Sequence, residues 1–269
     1  MQATVNGIDT RYVFEDRSGG PALTFIHQLG GDLTVWDTLA GHFRHRFRVL
    51  RYDVRGHGAS AVSTSAFGFK ELAADLSALL DAKDIEKTHI VGMSMGGMIA
   101  QQFALDHARH ASTAGSRVLS LTLCDTASRT SPDARETWNE RAALVRREGT
   151  AALADVTMAR WFTPDFRRTN RDTVAQTCDV LLRTPAEGYA RACEALRDFD
   201  VHERLAQLRV PTLAVAGRLD SGTPPALTEA MANAIPEARF ETLDAAHLAP
   251  VEESHGFAAL LETFLRQRV

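Results

Sequence analysis

Short apolar runs bounded by turn residues alternate along this chain with longer stretches whose apolar positions recur every three or four residues. The runs Leu23 to His27, Val49 to Asp53, His89 to Met93 and Val118 to Asp125 predict buried parallel strands, because each is short, mostly apolar and bounded by turn residues. Between the second and third, Phe69, Leu72, Leu76, Leu79 and Leu80 mark one helical face over Phe69 to Asp84. Another helix is expected directly after the third strand, over Gly96 to Ala108. Near the start, Asn6-Gly7 separates two short runs, Thr4 to Asn6 and Thr10 to Phe14, which predicts a hairpin.

The rhythm changes at Ala127. From there to Leu208 the pattern is helical, as in Arg135 to Gly149 and Thr173 to Thr184, and no strand pattern returns until Pro211 to Gly217. A helix near Ala226 to Ala234, a strand over Ala238 to Leu243 and a closing helix from Phe257 to Val269 complete the chain. The expected architecture is therefore an α/β fold: a mostly parallel eight-stranded sheet flanked by helices, with an inserted helical cap. Residues 1–126 and 209–269 would form the core, and 127–208 the cap.

Composition narrows the class without naming it. With 45% hydrophobic and 24% charged residues over 269 positions, the chain reads as a globular protein rather than a disordered or fibrous one. A formal charge of -4, with arginines scattered among acids, gives no electrostatic basis for binding nucleic acid. Cys124, Cys178 and Cys193 have no metal or redox spacing, and their odd number points to a reducing compartment. No secretory leader and no apolar run of about 18 residues is present, so the expected location is cytoplasmic and away from membranes.

Chemistry concentrates at three places. Gly92-Met93-Ser94-Met95-Gly96 is a G-x-S-x-G pentapeptide, a common sequence made selective by its position between an apolar strand and a helix. Such a turn holds its serine in a strained backbone conformation and pushes the hydroxyl out at the sheet edge. A serine hydroxyl needs a base to act as a nucleophile, and the base needs an orienting acid. His247, in the loop between the last strand and the last helix, falls where the base is expected in the order serine, acid, histidine. Asp220 leaves the end of a neighbouring strand and is preferred as the acid; Asp125 ends the preceding strand and is its rival, while Asp244 is too close in sequence to His247. For a developing oxyanion the expected donors are the amides of Met95 and Leu29, the latter in the loop His27-Gln28-Leu29-Gly30-Gly31.

On these residues the chain resembles the α/β-hydrolase superfamily: GMSMGG around Ser94, RYDVRGHGAS from Arg51 to Ser60, PTLAVAGRLD ending at Asp220, and the His247 loop. It more closely resembles the 3-oxoadipate enol-lactonases, through RWFTPDF from Arg160, GYARACEALRDFD from Gly188, and the Thr-Pro-Pro beginning at Thr223. The resemblance implies a serine esterase or lactonase of aromatic catabolism that opens a small carboxylated lactone through an acyl-enzyme, with no metal or organic cofactor. One departure stands out, since the family's Asn-Ser-Leu-Gly loop is replaced here by His27-Gln28-Leu29-Gly30, which leaves other esters, lactones or amides open.

A carboxylated substrate calls for a cation, and Arg160, Arg191 and Arg197 lie in the cap near Trp138 and Trp161. With Gln28 these are the candidate substrate-binding residues, while Met95 and Met98 are read as core packing without a side-chain role. The expected partner is a small-molecule substrate, the expected assembly a monomer or homodimer. Two other readings carry the same triad: hydrolysis of a carbon-carbon bond in a ring-fission product, and a ligand receptor that keeps the hydrolase fold. Dehalogenase and epoxide hydrolase chemistry is disfavoured because it requires a carboxylate where Ser94 stands.

Overall fold

The computed structural model describes residues 1–107 and 116–266. Eight strands form one sheet: β1 (Gln2–Val5), β2 (Ile8–Glu15), β3 (Ala22–Ile26), β4 (Arg48–Tyr52), β5 (Thr88–Met93), β6 (Val118–Cys124), β7 (Thr212–Gly217) and β8 (Arg239–Leu243). Their spatial order is β1-β2-β4-β3-β5-β6-β7-β8. The hairpin β1-β2 and the pair β2-β4 are antiparallel, and every pairing from β4 onward is parallel. The strands β3, β5 and β7 are buried at every position, which is why they read as continuous apolar runs rather than alternating ones.

Helices α1 (Asp37–Phe43), α2 (Phe69–Asp81), α3 (Met95–His107) and α9 (Pro225–Asn233) connect strands, and the short α10 (Ala249–Glu252) leads into α11 (Ser254–Arg266). The predicted ends of two helices, Ala108 and residues 267–269, lie outside the described residues. Between β6 and β7 come five helices: α4 (Pro132–Glu148), α5 (Ala154–Trp161), α6 (Pro164–Thr169), α7 (Arg171–Arg183) and α8 (Ala186–Arg197). They cover the carboxyl ends of the central strands. Contact with the core is close: Gly56 and Gly188 approach so nearly that a Cβ on Gly188 would stand 2.1 Å from the Gly56 carbonyl oxygen. Among the described residues no helix is long and apolar enough to cross a membrane.

The central sheet also buries a titratable group. His89 of β5 is 1% exposed, its Nδ1 lies 2.8 Å from Ser120 Oγ, and burial pushes its pKa down to about 4. In the unfolded chain a histidine takes its proton near 6.5, so on acidification the unfolded state binds it first. The neutral ring therefore contributes its full stability above about pH 6.5 and loses it as pH falls toward 4. By pH 4.5 the loss is about 2.5 kcal/mol from this residue alone. Urea melts at pH 7 and pH 4.5 should show a difference about 2 kcal/mol smaller in His89→Gln than in the wild type; an unchanged difference would rule the contribution out.

Candidate functional site

Ser94 stands between β5 and α3 with a φ of 53°, the left-handed region that costs a residue with a Cβ about 1–2 kcal/mol. The turn holds it there. Its amide donates to the Cys124 carbonyl at 2.8 Å, and its own carbonyl accepts from Gly97 N, Met98 N and Thr126 Oγ1 at 2.9, 3.2 and 2.7 Å. The flanking glycines are required by contact: a Cβ on Gly92 would meet the Gly96 carbonyl oxygen at 2.3 Å, and one on Gly96 would meet the Ile26 carbonyl oxygen at 2.2 Å.

His247 Nε2 lies 3.0 Å from Ser94 Oγ, and His247 Nδ1 lies 2.7 Å from Asp220 Oδ2. The other carboxylate oxygen of Asp220 accepts from the amides of Gly222 and Thr223, at 2.7 and 2.9 Å, so the acid cannot rotate away from the ring. These amides belong to the turn just past β7, the segment whose Gly-Thr-Pro-Pro sequence brings the chain back toward its own aspartate. Among the described residues, no cluster of three or more His, Cys, Asp or Glu could hold a metal ion.

Asp125 takes a different part. It is fully buried, with Oδ1 accepting from Gly217 N at 2.7 Å and Oδ2 from Ala249 N at 3.2 Å. Both oxygens thus bind backbone, tying β6 to the end of β7 and to α10. Burial, followed by the nearby Asp220, pushes its pKa well up.

The loop after β3 is fixed from below. His27 is buried, with Nδ1 donating to the Gln28 carbonyl at 2.7 Å and Nε2 accepting from Val54 N at 2.9 Å, so its ring points under the loop rather than at Ser94. Asp53 accepts from Leu33 N and Ala59 N, each at 2.8 Å. Met95 opens α3, where first-turn amides have no partner inside the helix.

A cavity of about 50 Å³ lies over Ser94, lined by residues that include Gln28, Leu29, Trp138, Arg160, Trp161 and His247. Arg160 carries the notable charge. Its Nε is buried without a hydrogen-bond partner, its stem packs on Gly222, and burial and then the neighbouring Arg141 push its pKa down. Arg191 pairs with Glu187 at 2.8 Å and Arg197 with Asp198 at 2.6 Å, and neither is among the cavity lining. Met98, read from the sequence as core packing, also lines the cavity, as do Leu196, Gly222 and Thr223, which the sequence does not single out as lining; an apolar side chain facing a cavity has the same helical spacing as one facing the core.

The arrangement can move a proton from a hydroxyl to an imidazole whose far side is held by a carboxylate. A family model described as alpha/beta hydrolase fold matches residues 21–254. The chain is 35% identical to 3-oxoadipate enol-lactonase 1 of Acinetobacter baylyi over 91% of its own length and 89% of that protein. It is 31% identical to 3-oxoadipate enol-lactonase 2 of the same organism, over 98% and 96%. Its structure superposes on the crystal structure of the enol-lactonase from Burkholderia xenovorans LB400 with a TM-score of 0.92 at 34% identity, covering 99% of this chain and 100% of the other.

Proposed function

The chain belongs to the alpha/beta hydrolase fold family, and on that premise we propose that it hydrolyses small carboxylated lactones or esters, with Ser94 as nucleophile, His247 as base and Asp220 as orienting acid. The observation that carries this is the unbroken hydrogen-bonded run from Ser94 Oγ through the His247 ring to Asp220, at the floor of a cavity roofed by the cap. The cap in this reading is residues 127–208. Similarity to three enol-lactonases supports a lactone of the 3-oxoadipate enol-lactone type as the leading substrate class.

Ser94 Oγ attacks the ring carbonyl while His247 Nε2 takes its proton. The oxyanion rests on the Leu29 and Met95 amides. Collapse breaks the acyl carbon-oxygen bond, and the imidazolium returns its proton to the departing oxygen, which stays tethered because the ester was cyclic. Water then attacks the acyl-enzyme with His247 again as base, releasing the free acid and restoring Ser94.

Arg160 is assigned to the substrate's carboxylate, since this cavity guanidinium forms no salt bridge among the described residues and its Nε has no hydrogen-bond partner. Arg160→Met should raise KM for a carboxylated lactone about 10- to 100-fold, the worth of a charged hydrogen bond, with a much smaller change for the corresponding methyl ester. Equal effects on both would remove Arg160 from carboxylate binding. Profiling the wild type with enol-lactones, simple esters and vinylogous diketones tests the reaction itself: turnover of the diketones alone would replace ester cleavage by carbon-carbon cleavage.

A further inference from the structure

The cavity over Ser94 is too small to hold a lactone. At about 50 Å³ it has room for a few waters, whereas ligand sites run to roughly 300 Å³ and above. A second space of about 450 Å³ lies between α7 and the segment following β3, walled by threonines and Gln176 and by the charged side chains Asp32, Asp37, Asp179 and Arg183. Among the described residues Gln28 is the one that lines both.

The state of that side chain is unusual. Gln28 is 1% exposed, yet neither Nε2 nor Oε1 has a hydrogen-bond partner. Buried amides are normally satisfied, and an unsatisfied one beside a cavity marks either a ligand contact or a group that moves. Its place is set by contact rather than by polar bonds. The amide lies over the Cα of Gly31, where a Cβ would stand 2.6 Å from its Cδ, Nε2 and Oε1 alike. Since the side chain holds no hydrogen bond within the protein, none is lost when it turns.

We propose that Gln28 is the movable partition between the catalytic cavity and the α7 groove, and that its amide hydrogen-bonds the part of the substrate beyond the scissile carbonyl. The groove is the subsite for that part, and walls of hydroxyl, amide and charged side chains suit chains bearing oxygen or nitrogen over plain alkyl chains. This rests on Ser94 being the nucleophile. Three features combine here that a packing role does not require together: a donor and acceptor left open, contact with both spaces, and a glycine beneath that leaves the amide free to turn.

The test uses ester pairs of equal length that differ by an ether oxygen in place of a methylene: methoxyacetyl against butanoyl on the acyl side, and 2-methoxyethyl against butyl on the alcohol side. The kcat/KM ratio within a pair, compared between variant and wild type, cancels intrinsic reactivity. Gln28→Leu keeps the bulk and removes the polar atoms, and should reduce the ether preference of at least one pair about tenfold, as expected for one neutral hydrogen bond. Gln28→Asn keeps the amide and should retain most of that preference. Gln28→Ala removes the partition and should raise kcat/KM for hexanoyl relative to butanoyl esters about tenfold. Gly31→Ala, which displaces the amide from a second position, should shift both readouts in the same direction. Wild-type ether preference in Gln28→Leu, or the wild-type chain-length limit in Gln28→Ala, overturns the proposal. Labelling of the wild-type protein by a fluorophosphonate, mapped to Ser94, reports separately on the nucleophile, so the two assignments can fail independently.

Discussion

Ser94→Ala is expected to lower kcat on every ester or lactone the protein accepts by a factor on the order of 10⁵ to 10⁶. The size follows from what the hydroxyl does in the proposed mechanism: without it no acyl-enzyme forms, and His247 has nothing positioned to deprotonate. Because alanine accepts the same backbone turn, and the amide and carbonyl of residue 94 keep their partners in Cys124, Gly97, Met98 and Thr126, the fold should survive. A circular dichroism melt like the wild type's, together with lost turnover and lost fluorophosphonate labelling, is the expected result. Hydrolysis at the wild-type rate would remove Ser94 from the mechanism.

The second large effect separates two aspartates. Asp220→Asn should lower kcat by about 10⁴ with little change in stability. An amide at this position can offer its NH₂ to Nδ1, which leaves the proton on Nε2, the atom that must receive the proton of Ser94. Asp125→Asn should act on the fold. Both Asp125 oxygens accept backbone amides, from Gly217 and Ala249, so an NH₂ must face a donor whichever way it turns. That leaves a buried N–H unpaired, at a cost of about 1–3 kcal/mol. Urea melts and kcat measured on both variants should show the effects crossed; a catalytic collapse in Asp125→Asn with Asp220→Asn unimpaired would exchange their roles.

That distinction also marks where sequence reading stopped. Asp125 and Asp220 each follow a buried strand, and strand patterns say where a chain ends at the sheet edge but not which carboxylate the amides of a distant turn will claim. The elbow was legible because its determinants are local: a run of apolar residues, glycines on both sides of Ser94, and a helix immediately after. The sheet was legible for a similar reason, with strand limits shifting by a residue or two, as where His27, expected in β3, falls just past Ile26. The cap gave up its helices but not its lining. Arg160, Arg191 and Arg197 are alike in sequence, and what separates them is the facing of α5 and α8, which depends on how the two helices pack.

The cap's fastening bears on how substrate comes and goes. Glu252 accepts from Ala246 N at 3.0 Å on the core side, and from the amide of Thr163 at 3.3 Å and its hydroxyl on the cap side. Leu248, next to His247, donates to the Trp161 carbonyl at 3.1 Å. Gly56 and Gly188 pack backbone against backbone at another point, so the roof is held to the walls at several places. On the proposed mechanism, swinging it open would drag the neighbours of His247 out of line at each turnover, so substrate would pass through a small door with the roof in place, and His247 would stay aligned while it does.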